Sequence, residues 1–243
     1  MSCGSEEDPM NRGNRGFARP AALLVSALLP ALMILASVFL LLHTAKAWAA
    51  IEYRMPGFPP DPYGFTTEDR IRWSRVDIDY LLRGEDLSYF DDYTLDTGAP
   101  MHNARELRHM QDVKVLLDRA RAVLLGGVIA VMLMLMALAS SGQRGEAALV
   151  LRRASRWTLA LMLAIGISLA LAFGVLFVGF HRIFFEGDTW LFRYSDTFIR
   201  LYPERFWRDA FAMIVVLTLV QAGLLGWAGS RLLRRASGSE SRD

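Results

Sequence analysis

Four stretches of apolar residues, 20–42, 122–139, 157–180 and 211–233, constrain this chain more than anything else in it. Each is close to the roughly 20 residues that an α-helix needs to cross the hydrocarbon of a bilayer. They are separated by segments dense in charge, whereas a soluble domain interleaves its polar and apolar residues. The expected fold class is an all-α membrane protein: four transmembrane helices with an extracytoplasmic polar domain. The first stretch has a rival reading as a cleaved signal peptide, because Ala45-Lys46-Ala47 has the small-x-small form of a cleavage site. Signal-peptide apolar cores run about 7–15 residues, which favours a retained helix. Pro30 is a place for that helix to kink.

The segments between the spans differ in charge, and the difference sets an orientation. Residues 1–19 carry Arg12, Arg15 and Arg19 among glycines and read as a disordered cytoplasmic tail. The connection 140–156 holds Arg144, Arg152, Arg153 and Arg156 against one acid, Glu146, and the tail 234–243 follows Arg231 with Arg234 and Arg235. Basic loops stay on the cytoplasmic side, so both termini and the central loop belong there. The polar domain 45–121 and the loop 181–210 then face outward. Arg119 and Arg121 sit on the outer flank of the second span and run against the rule; the other three spans agree with it. The full partition is thus a tail to 19, a first span over 20–44, the outer domain to 121, and a second span to 139. The cytoplasmic loop, the third span over 157–180, the outer loop to 210, the fourth span to 233 and the last tail complete it. The net charge of +2, from 27 basic and 25 acidic residues, says nothing by itself. The one cysteine, Cys3, excludes an internal disulfide, a cysteine metal cluster and a Cys-x-x-Cys pair. It precedes every apolar run, so it reads as an ordinary tail residue.

Within the outer domain, Met55-Pro56-Gly57-Phe58-Pro59-Pro60-Asp61-Pro62 is too rich in proline for helix and predicts an extended, turn-rich lead-in. Thr66 or Thr67 caps a helix running to Leu82, with Asp69 as the reciprocal acid and Gly84 as the stop. Residues 87–97 alternate poorly and read as a loop or short hairpin. Beyond Pro100 a helical pattern begins and runs on into the second span. Pro203 suits the first turn of a helix leading into the fourth.

The chemistry concentrates where the third span ends, in Phe180-His181-Arg182-Ile183-Phe184-Phe185-Glu186-Gly187-Asp188-Thr189-Trp190. Aromatic residues anchor a membrane interface, and an ionisable residue just inside one is a candidate for function. All four histidines, His43, His102, His109 and His181, fall on the outer side. His102, Glu106, His109 and Asp112 form one stripe down a helix. Three readings of the stripe stand together: a solvated face, a metal site and acid–base chemistry. The metal reading is strained, since His-Glu-x-x-His motifs place their histidines four apart and these are seven apart. Acid–base work suits histidine, which accepts and returns protons near neutral pH. No Gly-x-Ser-x-Gly elbow accompanies it, and Ser74, Ser88 and Ser195 are weak hydroxyl candidates. A reaction whose nucleophile belongs to the substrate needs none.

Three motifs carry a resemblance. Glu106-x-x-His109-Met110-x-Asp112-Val113-Lys114, Phe180-His181-x-Ile183-Phe184-Phe185-x-Gly187-Asp188-x-Trp190 and Pro203-x-x-Phe206-Trp207-x-Asp209 resemble the Lit family, with similarity from about residue 20 to 230. That family comprises bacterial lipoprotein intramolecular transacylases, four-span membrane enzymes with an outward polar domain. The resemblance implies an acyltransferase that moves the sn-2 acyl chain of a diacylglyceryl-modified lipoprotein cysteine to that cysteine's α-amine, giving a lyso-form lipoprotein. It implies His109 and His181 as the catalytic residues, with their roles unassigned. Glu106 and Asp112 are expected in support, Asp112 either orienting His109 or paired with Lys114 or Arg108. Arg182 is the nearest donor in sequence for a developing oxyanion. No cofactor, metal or nucleic acid is expected; the partners are the lipoprotein substrate and membrane lipid. His43 and His102 match no family motif. The histidines must meet, yet His109 precedes Ala122 by about 13 residues, roughly 20 Å along a straight helix. Two other readings stay open: a non-catalytic membrane protein whose outer domain binds a partner or lipid, and a metal-dependent membrane hydrolase.

Overall fold

The computed structural model describes residues 9–240, with side chains over 20–235. Seven α-helices and one 3-10 helix follow in order: α1 (Pro9–His43), α2 (Ala45–Glu52), α3 (Thr67–Arg83), the 3-10 turn Leu87–Asp92, α4 (Ala104–Ser140), α5 (Arg144–Phe184), α6 (Thr197–Leu201) and α7 (Glu204–Glu240). Four of them, over Pro20–His43, Ala104–Ser140, Arg144–Phe184 and Glu204–Arg235, are long and apolar enough to cross a membrane. The chain is an all-α, multi-pass membrane protein. Its described residues group into two compact units, one made of 9–36, Val123–Ala164 and 216–240, the other of Ser37–Ala122 and Ile165–Val215.

In the first unit, small residues set how closely helices approach. Ala22, Val25 and Leu32 of α1 pack with Val131 of α4 and Val150 of α5. A Cβ added at Gly127 would lie 2.5 Å from Leu32 Cδ2, and one at Gly226 would lie 2.5 Å from Ser155 Oγ. Such contacts are the usual means of helix association in lipid, where burial supplies no hydrophobic gain. Ser155 Oγ–H donates to the Ala222 carbonyl at 2.8 Å, and Gln221 donates to the Met33 carbonyl at 3.3 Å.

The second unit holds the aromatic core and the site. α3 begins and ends as its sequence dictates. Thr66 Oγ1 accepts the Asp69 N–H at 3.1 Å while Asp69 accepts the Thr66 N–H at 2.8 Å, and Gly84 closes the helix at φ 79°. α3 packs between α2 and α6. Lys46 of α2 pairs with Asp79 of α3 at 2.7 Å. The buried Arg70 donates to the carbonyls of Arg200 and Pro59, fastening α3 to α6 and to the proline-rich lead-in, which is non-helical as its prolines require. Tyr53, Trp73, Tyr80, Phe90, Phe198 and Phe206 fill the centre.

Several expectations need correction. Residues 87–92 form the 3-10 turn rather than a loop or hairpin, because Asp86 caps it by accepting the Ser88 N–H at 2.9 Å. Thr94 and Pro100 then pair as one isolated antiparallel bridge. Only 141–143 break the backbone between α4 and α5, so most of the expected loop 140–156 is helix; Gly142, at φ 77°, makes the turn. α1 continues through Pro30, and the helical interruption falls instead in α5, at Ala172 with φ −147° and ψ 40°. Of the expected disordered tail, residues 1–8 with Cys3 lie outside the described residues, and helix begins at Pro9. Likewise α7 runs on to Glu240 through much of the expected last tail.

Candidate active site

α4 begins with a capping box of its own. Asn103 Oδ1 accepts the N–H of Arg105 and of Glu106, and Glu106 Oε2 accepts the Asn103 N–H at 2.8 Å. The other oxygen of Glu106 reaches a distant segment and accepts the Phe198 N–H of α6 at 2.7 Å. The carboxylate is almost wholly buried. It therefore ties the start of α4 to α6, one turn before His109. In the same way α5 runs on past Phe180 to Phe184, which places His181 inside the helix rather than at its end.

These two helices bring His109 and His181 together. Their rings lie 6.0 Å apart, centroid to centroid, and within 24° of parallel. The distance that a straight helix seemed to impose is closed. Aromatic rings enclose the pair: Phe185, Phe192 and Phe198 meet His109 edge to face at 4.8, 5.4 and 5.8 Å. Phe177 and Trp190 lie against His181 at 4.3 and 4.9 Å. Both imidazoles line an apolar cavity of about 300 Å³. Val38 and Leu42 of α1, Trp48 of α2, Leu116 of α4 and Phe211 of α7 form other parts of its wall.

The two imidazoles are held differently. His181 Nδ1 lies 2.7 Å from the Phe177 carbonyl oxygen. A carbonyl only accepts, so Nδ1 carries the proton and Nε2 presents its lone pair. His109 Nδ1 is buried and has no hydrogen-bond partner among the described residues. His109 lies outside the apolar segment of its helix, and burial first, then the neighbouring imidazole, lower its pKa. A lipid ester and an amine brought into this space would meet two proton-carrying groups and little water.

The remaining stripe residues do other work. His102 is buried away from the cavity, its Nε2 2.7 Å from Asp77 Oδ1 and its Nδ1 3.9 Å from Glu106 Oε2, the latter an electrostatic contact beyond hydrogen-bond length. Burial is the largest influence on its pKa and opposes the charge, but Asp77 and Glu106 override it and raise the value to about 9. Tyr202 donates to the second oxygen of Asp77 at 2.9 Å. Asp112 accepts from Thr189 Oγ1 at 3.3 Å and bonds neither His109 nor Lys114 or Arg108, contrary to both expectations. Lys114 lies over the Tyr80 ring, 4.5 Å from its centroid. Arg182 is exposed and outside the cavity lining, so it is not placed to serve an oxyanion there. His43 Nδ1–H donates to the Phe39 carbonyl of its own helix at 2.7 Å, and the residue is exposed. No three histidine, cysteine, aspartate or glutamate side chains converge to hold a metal among the described residues. Sequence reasoning missed Asp77, Tyr202 and Trp48, which no local pattern marks.

Fold and site define an integral membrane protein of four apolar helices with a buried histidine pair in an aromatic cavity. Residues 23–207 match the family model described as lipoprotein intramolecular transacylase Lit. The chain belongs to the Lit family, whose members are membrane acyltransferases acting on lipoproteins. It is similar to the structure of the lipoprotein intramolecular transacylase Lit from Bacillus cereus, with a TM-score of 0.72 at 21% identity, covering 93% of this chain and 98% of that one. A histidine-to-arginine variant of the same Bacillus cereus protein gives a TM-score of 0.67 at 19% identity, covering 95% and 98%. An uncharacterized protein of Aquifex aeolicus is 27% identical over 178 residues, 73% of this chain and 79% of its own length.

Proposed function

We propose that the chain catalyses intramolecular O-to-N acyl transfer on a diacylglyceryl-modified lipoprotein, with His109 and His181 moving the protons. The observation that carries this reading is the histidine pair in one apolar cavity, with His181 Nε2 left as a lone pair. The substrate's cysteine α-amine has an ordinary pKa near 8 and is partly neutral at pH 7. It attacks the sn-2 ester carbonyl, forming a nitrogen–carbon bond, and His181 Nε2 accepts the proton that the nitrogen sheds. The proton passes from His181 to His109, the tetrahedral centre collapses, the bond from carbon to the glycerol oxygen breaks, and the protonated His109 donates to that oxygen. Both imidazoles end neutral, as they began. Amine and ester belong to one molecule, so holding them in an attack geometry supplies much of the rate. The apolar wall accepts the acyl chain. Glu106 supports the site by fixing Phe198 against His109. The arginine-bearing ends are assigned to the cytoplasm, which puts the cavity at the outer face.

The test is mass spectrometry of the amino-terminal lipopeptide of a reporter lipoprotein, in a host that makes only the diacylglyceryl form. The native chain should move one acyl group to the amine at unchanged total mass. His109→Ala and His181→Ala should each lose about 10²–10⁴-fold in rate. Untouched lipopeptide with well-expressed native protein would sink the reading in favour of a binding role. For orientation, a membrane-impermeant thiol reagent on intact cells should spare Cys3 and label a Ser88→Cys variant.

A further inference from the structure

In the acyl transfer, His181 takes the amine's proton and stands briefly as a charged imidazolium, yet no carboxylate among the described residues pairs with it. Asp77, the one acid on the cavity lining among the described residues, is taken by His102 and Tyr202. Glu106 is taken by the N–H groups of Asn103 and Phe198, and Asp112 by the Thr189 hydroxyl. His109, the titratable group facing His181, is neutral at that step, and Arg182 is exposed and outside the lining. What surrounds His181 is aromatic. The ring centroids of Phe177, Trp190, Phe185 and Phe180 lie 4.3, 4.9, 5.4 and 5.5 Å from its own. All fall inside the roughly 6 Å over which the negative face of a ring attracts a cation, and an indole does so best. Trp190 is tilted only 35° from the imidazole, nearer to stacked than to edge-on, whereas Phe180 stands at 79°.

The turn that carries Trp190 is fastened to the helix that carries His109. Gly187, at φ 65°, reverses the chain, and the Trp190 indole N–H donates back to the Gly187 carbonyl at 3.2 Å, which fixes the ring. Thr189 donates to Asp112 at 3.3 Å, and Arg105 donates to the Leu191 carbonyl at 2.9 Å. Those two α4 residues bracket His109 along the helix. Trp190 is not part of the cavity wall, so its influence on a bound ester runs through His181. We propose, resting on the acyl-transfer reading above, that Trp190 is a positioning residue whose ring stabilises His181 as the imidazolium. When Nε2 takes the amine's proton, the positive charge spreads over an imidazole lying against the indole. A ring face favours the cation without offering a lone pair to capture its proton, so the proton stays free to pass to His109. His181 is then neutral again, and Trp190 has formed no bond and exchanged no proton. Asp112 and Gly187 serve the same end by holding the indole in place.

Progressively fluorinated tryptophans inserted in place of Trp190, in the full-length chain in lipid nanodiscs, keep the shape of the ring while draining its π face. The first readout is the NMR titration of the His181 ring in histidine-labelled protein. The chain has four histidines, and His181→Gln identifies the resonances that belong to this one. Full fluorination should weaken proton binding at His181 about tenfold, the scale of one desolvated cation–π contact, which moves the titration midpoint down by about one pH unit. The second readout is kcat/KM for acyl transfer, which should fall in the same graded way and by a similar factor. The two falling together uphold the proposal. An unmoved midpoint overturns it whatever happens to activity, because a residue needed only for packing leaves the titration alone. A midpoint that moves while kcat/KM stays level overturns the role in transfer. A midpoint that moves in a chain whose native form transfers no acyl group upholds the ring contact while the acyl-transfer reading fails.

Discussion

Glu106→Gln tests how the site is built, because the change is nearly isosteric and its consequences can be worked out from two bonds. Glu106 uses one carboxylate oxygen for the Asn103 N–H at 2.8 Å and the other for the Phe198 N–H at 2.7 Å. Glutamine has one oxygen and one NH₂, so a donor must face one of those two N–H groups. Hydrogen bonds to a charged group are worth about 1.5–3 kcal/mol, and a buried N–H left unpaired costs about 1–3 kcal/mol. The same residue also contributes to the charge on His102, 3.9 Å away. A loss of about 2–4 kcal/mol follows, which for a chain of this size lowers the unfolding midpoint by roughly 5–15 °C. Phe198 would move with the lost bond, and it lies 5.8 Å from His109 and 5.0 Å from His102. Transfer activity should therefore fall at temperatures where the variant remains folded. The assay is thermal unfolding in nanodiscs by intrinsic fluorescence, paired with lipopeptide mass spectrometry. A midpoint within about 2 °C of native would refute the reasoning, since it would mean that neither bond contributes.

Three further outcomes follow from the same structure. His102 has its folded-state pKa raised to about 9 from an ordinary 6.5, so its contribution to stability is complete below about pH 6.5 and is lost as pH rises through 9. The native unfolding midpoint should fall over that window and His102→Gln should flatten the fall; parallel curves would refute the assignment. Arg182→Ala should retain transfer activity within about threefold, because Arg182 is exposed and outside the cavity; a loss of 100-fold, the scale for a catalytic donor, would return it to the site. Gly229→Ala places a Cβ 3.0 Å from the Ala148 carbonyl oxygen and 3.1 Å from Leu151 Cβ, atoms that cannot turn aside. It should destabilise by about 1–3 kcal/mol, measured by unfolding, while transfer per folded molecule stays constant.

What could be read without the structure was whatever depends on local composition and spacing. Span existence follows from the length of apolar runs, and α3 follows from Thr66, Asp69 and Gly84, whose roles are set within a few residues. Misreadings were local too. Residues 87–92 lack an alternating or helical pattern, and only the Asp86 cap makes a turn of them. The arginines at 144–156 marked a basic segment correctly but not its backbone, since charge does not prevent helix. The motifs around His109 and His181 named the two histidines through family resemblance, not through any physical property of either segment.

The sequence by itself determined the class of this protein, four apolar helices with polar segments between, and which residues are chemically able to move protons. Hydrophobicity and capping act over a few residues, so they survive being read one segment at a time. Only the tertiary structure decided that His109 and His181 stack 6.0 Å apart, that Glu106 reaches across to Phe198, and that Asp77 joins His102 to Tyr202. Each of these joins segments far apart in the chain, and a hydrogen bond or ring contact acts over a few ångströms whatever the sequence separation. The tautomer of His181 is decided by the Phe177 carbonyl one helical turn away, and the unpaired nitrogen of Trp48 by what the packed core leaves beside it. Those are properties of positions in space, and the chain acquires them only by folding.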